Sequence, residues 1–503
     1  MYRDSIVYQT IEHGRRCCHS AVQDSFLAGL LLREGTGGRR AAAGSAVLYT
    51  LAAAAGFLAG RWKERVVLPG ARLFPAVLAP GLTAGSQALA WLRGSIFGPA
   101  LLSWPEMAGL CLIILAFPFI PVPATVGLIL LLALLFALRG RFKGVLSLPL
   151  VPQAAFFLSL LLFSSLFSVA PRESLQVTVI FTAFFLFYLM TVSELDSRRK
   201  IYVVTAVFLF SATLEALAGL FQNFISRPLV DPSWVDVGLF PEIAVRVFGT
   251  MDNPNIMAQY LAPAIILGGG MVWQVKSFAG KAFFAGQTAL MAAALVFTYS
   301  RGGWLALVLA ALLFGLLRDR RFLLLAGVLL AGAFWLQPDL IASRLASVGN
   351  LQETSTSYRT FIWQTAYRII SDFWAGGVGP GTAAFREVYN KFYMVTGVTA
   401  FHAHNLYLEL LVEIGLFGLL GFFWLVLSYF GYGLKRLVRA PAVFEKTVLA
   451  AALAGLAGYL ANGLTENSWY SFKLVLLFWW LLALGVAAAK RQGDGSMSQD
   501  GSD

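Results

Sequence analysis

Residues 176–221 read QVTVIFTAFFLFYLMTVSELDSRRKIYVVTAVFLFSATLEALAGLF. Two apolar runs, 176–192 and 201–221, flank a linker, 193–200, that ends in Arg198-Arg199-Lys200. Each run is close to the roughly 20 residues that carry a helix across a bilayer, and a basic linker of this kind stays in the cytoplasm. Outward from this hairpin the pattern repeats. Further apolar runs fall at 107–120, 124–138, 150–168, 256–274, 282–299, 303–317, 322–336, 406–432, 447–464 and 471–489. Together they predict an all-α, polytopic membrane protein with about 12 transmembrane helices.

Composition points the same way. Hydrophobic residues make up 58% of the 503 residues and charged residues 13%, with a mean hydropathy of +0.73. A soluble domain carries about 25% charge, so this chain lacks the polar residues to cover several water-facing surfaces. The formal net charge of +12 is distributed by topology. Linkers 139–149, 193–200, 276–281, 318–321, 433–446 and the tail from 490 hold 17 Lys/Arg in 57 residues. Alternating with them, 121–123, 169–175, 222–254, 300–302, 337–404 and 465–470 hold 9 in 120. That contrast places the first set and the C-terminus in the cytoplasm and makes nucleic acid an unneeded partner; membrane lipid is the solvent. Cys17 and Cys18 are adjacent and Cys111 lies in an apolar run, which gives neither a zinc spacing nor a disulfide framework. Residues 1–40 mix charges of both signs without the apolar core of a signal peptide.

This organises the chain into an N-terminal extension, 1–105, to which the reading assigns no fold; a multi-span domain, 106–490; and a disordered cytoplasmic tail, 491–503. An Ala-rich stretch at 41–60 is a candidate for a further span. The linkers 222–254 and 337–404 are too long for turns, and long connections are functional or disordered. The second, a large extracytoplasmic loop between spans 9 and 10, reads as helical: Ile362, Ala366, Ile369 and Phe373 recur at helical spacing, as do Arg359, Trp363 and Tyr367. Gly376-Gly377-Val378-Gly379-Pro380-Gly381 then stops the helix, and Thr382 starts another.

Polar groups that lipid would penalise mark the places for chemistry. One cluster, Arg246 to Asn255, opens the sixth span, with Asn255 and Gln259 on one helical face; it reads either as an ordinary polar helix start or as a substrate lining. A second, Ser300-Arg301-Gly302-Gly303-Trp304, puts a guanidinium at the membrane boundary. Its planar fork matches phosphate oxygens, although an arginine there can also snorkel to headgroups. A third is Arg359 on the loop helix, a further anion ligand or a solvated charge. The fourth is His402-Ala403-His404-Asn405 followed by Glu409 and Glu413, with Asn405, Glu409 and Glu413 at i, i+4 and i+8 on one face. A histidine at the mouth of such a face is a candidate general base. Two histidines one residue apart can also chelate, but no third ligand of suitable spacing follows, so no metal is expected. Asn462 and Glu466 form another i, i+4 polar pair, read equally well as a hydrated helix end. Glu215, in mid-span, has no explanation in the sequence.

The series Ser300-Arg301-Gly302-Gly303-Trp304, Tyr358-Arg359 with Trp363, Gly377-Val378-Gly379-Pro380-Gly381-Thr382 and His402-Ala403-His404-Asn405 resembles the O-antigen ligase superfamily: lipopolysaccharide O-antigen ligases, related polymerases and O-oligosaccharyltransferases. The resemblance covers roughly 107–490 and is most specific between 246 and 420; the N-terminal extension departs from it. It implies a metal-independent, cofactor-free glycosyltransferase of the cytoplasmic membrane. Such an enzyme takes a glycan from an undecaprenyl-pyrophosphate carrier on the outer face and passes it to a glycan, lipid or protein acceptor. By position, Arg301 and Arg359 match the family's diphosphate-holding arginines and His404 its catalytic histidine. Arg246 is a further candidate for the diphosphate, and His402, Asn405, Glu409 and Asn255 are candidates for lining or supporting the substrates. A lipid-linked glycan flippase is the alternative, but it needs polar groups spread through the spans.

Overall fold

The computed structural model describes residues 105–225, 245–323, 327, 354–394, 399–438 and 443–497. The expectations for 1–104, including 41–60, for most of the run 322–336 and for 498–503 lie outside the described residues. The chain divides into two compact units, Met1–Ala108 and Gly109–Asp503, and the second carries everything below.

Among the described residues every regular element is a helix. In chain order these are α1 (Pro105–Ala116), α2 (Val122–Leu138), α3 (Val151–Leu166), α4 (Pro171–Glu194), α5 (Arg198–Phe224), α6 (Pro254–Gln274), α7 (Phe278–Phe297), α8 (Arg301–Leu317), α9 (Thr354–Phe373), α10 (Thr382–Val388), α11 (Leu406–Val438), α12 (Val443–Asn462) and α13 (Phe472–Met497). Prolines occupy the first turns of α2, α3, α4 and α6, where a missing N–H costs nothing. Ser197, Asn253, Ser277 and Ser300 cap α5, α6, α7 and α8 by accepting a backbone N–H.

Eleven of the expected apolar runs fall on helices. Seven helices, α4, α5, α6, α7, α11, α12 and α13, are long and apolar enough to cross a membrane; α1, α2, α3 and α8 are apolar but only 10–17 residues long. The C-terminal tail expected to be disordered from 491 instead continues α13 as far as Met497. Arg491 anchors that end by donating to the Asp196 carbonyl at 2.6 Å.

At the centre stand α6, α12 and α13, with 83%, 83% and 89% of their apolar windows buried, against 28% for peripheral α7. Lipid offers helices no hydrophobic drive to associate, so small residues that let backbones approach decide the contacts. A Cβ on Gly458 of α12 would stand 2.6 Å from the Ala306 carbonyl oxygen of α8, so only glycine permits this approach.

Contacts sort the linkers into two ends of the bundle. At one end Arg141 reaches Glu194, Arg491 reaches Asp196, and Arg198 lies over the Phe444 ring. At the other, Val169 donates to Val378, Arg246 to Thr298 and Leu406 to Gly463. These are the same two groups that the Lys/Arg density separates.

α11 is not the single span expected at 406–432. Gly415 takes φ 67°, ψ −171°, which breaks the helix, and the Gly-rich turn satisfies the backbone groups the break exposes. Val378 and Gly379 donate to the carbonyls of Val412 and Glu413 at 2.8 and 2.9 Å, and Leu416 donates to Trp374 at 2.7 Å. Gly377 fits against this break only because it lacks a side chain: a Cβ there would lie 2.3 Å from the Glu413 carbonyl. Glu409 and Glu413 therefore belong to a short helix, 406–414, ahead of the kink, and not to the middle of a span.

Candidate active site

Four separate chain segments meet at one end of the bundle, and each is held there by its own device. The first is the loop 245–253 ahead of α6. It dips between the helices, where a non-helical backbone must find its partners in protein. Gln222 of α5 accepts the N–H groups of Phe248 and Gly249 at 3.0 and 2.8 Å, and its amide donates back to the Gly249 carbonyl at 2.8 Å. Glu215 accepts from the Thr250 N–H at 2.7 Å and from the Thr250 hydroxyl at 2.6 Å, while Lys473 donates to the Thr250 carbonyl at 2.6 Å. The mid-span carboxylate is thus the receptor for this loop. Gly249, at φ 58°, leaves no room for a side chain beside it.

The loop so placed delivers Arg246 and Asn255. Arg246 donates from Nε to the Thr298 carbonyl at 2.8 Å and from Nη2 to Asn255 Oδ1 at 2.9 Å. Asn255 in turn donates to Glu466 Oε2 at 2.9 Å. The second segment, the start of α8, lies alongside: a Cβ on Gly302 would meet Asn462 Oδ1 and Thr465 Oγ1 at 2.4 and 2.9 Å. Arg301 therefore opens its helix next to the turn that leads into Glu466.

The third segment is α9. Its apolar face, Ile362, Ala366 and Ile369, packs into a small core with Phe385, Ala403, Leu408 and Val412, as the helical spacing predicts. Trp363 donates to the Ala403 carbonyl at 2.8 Å, which ties α9 to the histidine loop. Arg359 flanks that face one turn before Trp363, and its Nη2 stands 3.5 Å from Glu466 Oε2.

The fourth is the histidine loop itself. His404 Nδ1 lies 2.9 Å from Glu466 Oε1. Its backbone sits in the left-handed region at φ 48°, a conformation that costs about 1–3 kcal/mol and that histidine tolerates better than most side chains. Asp252 and Tyr299, on the two neighbouring loops, share it at φ 61° and 50°. Asn405 caps α11, accepting from Tyr407 and Leu408, and donates to the Leu464 carbonyl at 2.8 Å. Glu409 is buried and accepts the Ala403 N–H. Asn405 and Glu409 thus brace the loop from its α11 side.

Glu466 is where these segments converge, bonded to His404, Arg359 and Asn255 at once. Burial works to raise its carboxyl, but the neighbouring His404 and Arg359 outweigh it and hold the group well below the usual carboxylate range. An ionised carboxylate only accepts hydrogen bonds. In the neutral form of His404, Nδ1 carries the proton shared with Glu466 and Nε2 the lone pair. His402 has a different environment. Burial first, then the charge His404 bears whenever it is protonated, pushes it down to about 3, and its Nδ1 accepts the His404 N–H at 3.2 Å. It is a neutral wedge, 4.1 Å from the His404 ring and 4.6 Å from Tyr470 between centroids.

That neutrality has a measurable consequence. Unfolded, His402 titrates near 6.5, so between pH 6.5 and 3 the unfolded chain binds a proton that the folded chain refuses. Stability contributed by this residue is complete above pH 6.5 and falls as the pH drops below it. Thermal unfolding in detergent from pH 8 to 5 is expected to show His402→Asn gaining on the wild type as the pH falls. Parallel curves would mean that His402 accepts its proton in the fold.

The fold also corrects one expectation. Sequence spacing offers no third metal ligand near His402 and His404, yet Glu466 arrives from 62 residues on, and ligand atoms of the three lie within 4.8 Å of one another. Two imidazoles and a carboxylate match a zinc-type donor set. Against that use, the carboxylate is already shared by a guanidinium, an amide and His404.

A bundle of apolar helices, seven of them long enough to cross a membrane, with a polar, histidine-centred cluster at one end is the architecture of a multi-pass membrane protein. Residues 287–423 match the family model described as O-antigen ligase. The match supports placing the chain in the O-antigen ligase superfamily, with an O-antigen ligase or polymerase type of glycan handling. It covers Arg301, Arg359, His402, His404, Asn405 and Glu409; Arg246, Asn255 and Glu466 lie outside it. No curated protein matches the chain.

Proposed function

We propose that the chain is a multi-pass glycosyltransferase of the cytoplasmic membrane. It transfers or polymerises a glycan from an undecaprenyl-pyrophosphate-linked donor, with the site on the extracytoplasmic side. One observation carries the reading: Glu466 joins a histidine to two arginine-bearing segments from other parts of the chain, directly to Arg359 and through Asn255 to Arg246. His404 Nε2 takes the proton of an acceptor hydroxyl as its oxygen attacks the anomeric carbon. The bond from that carbon to the pyrophosphate oxygen breaks, and the carrier departs as undecaprenyl pyrophosphate. Arg301 and Arg359 meet the charge that builds on the leaving group, the kind of preorganised electrostatics that carries much of such a barrier. Arg246 supports them through Asn255, while His402, Asn405 and Glu409 hold His404 in place. Polar groups that lie at the ends of the bundle and not along its spans favour transfer over transport, and Glu215, the mid-span exception, is committed to Thr250.

The experiment is transfer of a lipid-linked glycan by the purified full chain in liposomes. Turnover is expected to survive exhaustive chelation, because Glu466 serves His404 and Arg359 in this mechanism. The specific rival is a catalytic cation on His402, His404 and Glu466. Loss of turnover in EDTA with recovery on adding one divalent ion would establish that rival instead.

A further inference from the structure

At the opposite end of the bundle the structure holds a second polar site that glycan transfer leaves unused. α4 runs for 24 residues, about 36 Å at 1.5 Å per residue. Near its start Ser174 donates to Pro380 of the Gly-rich turn; its far end carries Glu194. There the linker after α2, the linker after α4 and the end of α13 enclose a cavity of about 390 Å³, lined by Arg141, Lys143, Gly144, Ser147, Asp196 and Lys490 among others.

The charges around this cavity do not cancel. Glu194, buried to 2%, pairs with Arg141 and with Lys200, each at 2.7 Å, and Lys200 also reaches Asp196 at 3.1 Å. Two carboxylates and two cations thus form a fixed wall. Arg491 pins the end of α13 to the Asp196 carbonyl and so holds Lys490 at the rim. Lys143 and Lys490 have no ion-pair partner among the described residues, and both line the cavity. Arg141, Lys143, Lys200, Lys490 and Arg491 thus stand against Glu194 and Asp196, which leaves an excess of positive charge at the cavity. Beside it Leu138 and Leu146 are 77% and 80% exposed, an apolar rim of the kind that acyl chains cover.

We infer that this cavity binds the phosphate-bearing headgroup of an anionic membrane lipid, taken from the leaflet opposite the His404 site. The volume suits a glycerophosphate headgroup better than a bare phosphate, since small-molecule sites begin near 300 Å³. Two ammonium groups supply the counter-charge, and the exposed leucines continue the path of the lipid's tails. Basic pockets between helices on the inner side of a membrane bind such headgroups for these reasons. The inference needs only that the bundle spans a membrane, not which reaction it performs.

The test uses the full chain in nanodiscs of phosphatidylcholine containing a minority of phosphatidylglycerol, with retained lipid counted by native mass spectrometry. Wild type is expected to retain phosphatidylglycerol over phosphatidylcholine. The pair Lys143→Ala and Lys490→Ala should lose roughly 30-fold of that preference, and Lys143→Arg with Lys490→Arg should keep it. Both lysines are exposed, and a thermal melt in pure phosphatidylcholine checks that each variant folds like wild type. Equal retention by wild type and the alanine pair would overturn the inference. So would stabilisation of wild type by millimolar inorganic phosphate alone in phosphatidylcholine discs, which would identify a free anion as the ligand. Neither result bears on glycan transfer, which is measured separately in neutral lipid.

Discussion

His404→Ala is expected to reduce glycan transfer by about 10²–10⁴ while leaving binding of the lipid-linked donor close to wild type, because a positioned base acts on bond formation and not on carrier capture. The geometry makes the separation clean. His404 bonds Glu466 through Nδ1, whereas Arg359 reaches the other carboxylate oxygen and Arg301 stands at the start of α8 beside Asn462 and Thr465 through its neighbour Gly302. Donor affinity should therefore fall in Arg301→Ala and Arg359→Ala, where a charge-assisted contact to phosphate is lost, and be restored only in part by lysine, which lacks the bidentate fork. Transfer kinetics in liposomes with donor binding measured independently check this. Near-normal transfer by His404→Ala would make the histidine structural. Normal transfer in all three variants, with donor movement between leaflets blocked, would favour the flippase.

Glu466→Gln is expected to be as damaging as His404→Ala although its carboxylate touches no reacting atom. The amide can donate to Nδ1, so the imidazole is no longer held with its lone pair on Nε2, and Arg359 loses its counter-charge. Breaking a buried charge pair costs about 3–5 kcal/mol, so the variant should also melt earlier. His404 and Glu466 act as a unit here, and effects within a unit are far from additive. The double variant should transfer glycan within about tenfold of the worse single variant. Additive losses would separate the two residues and leave Glu466 a role in folding alone.

The bundle was legible because its signal is local. Lipid demands long apolar runs, and eleven of them became helices; the face of α9 followed from Ile362, Ala366 and Ile369 at helical spacing. What failed was whatever depended on a distant segment. The break in α11 carries no warning in 406–432, because a glycine in an apolar helix is common and only the docking of Gly377 to Gly379 makes Gly415 a terminus. Glu215 looked like an isolated mid-span charge until Thr250 was brought to it. Glu466 was visible as half of a polar pair with Asn462, but its partners lie 62, 107 and 211 residues away. Spacing rules that search a few residues either side of His402 and His404 could not find it. His404 and the arginines could be put forward from the sequence because each stands out within its own short motif.

The placement of Glu466 also dictates when the site comes into being. Chains are made from the N-terminus, and earlier segments settle first. Arg246, Arg301, Arg359 and His404 all precede Glu466 in the chain, and the loop bearing Arg246 relies further on Lys473, at the start of α13. A nascent chain that has reached α12 already holds His404 and Arg359, proposed to take the proton and meet the leaving group, but not the carboxylate that both contact. Under the proposed function, activity then waits on Glu466 and on α13, so a chain stalled or cleaved before residue 466 is expected to be inert in the transfer assay.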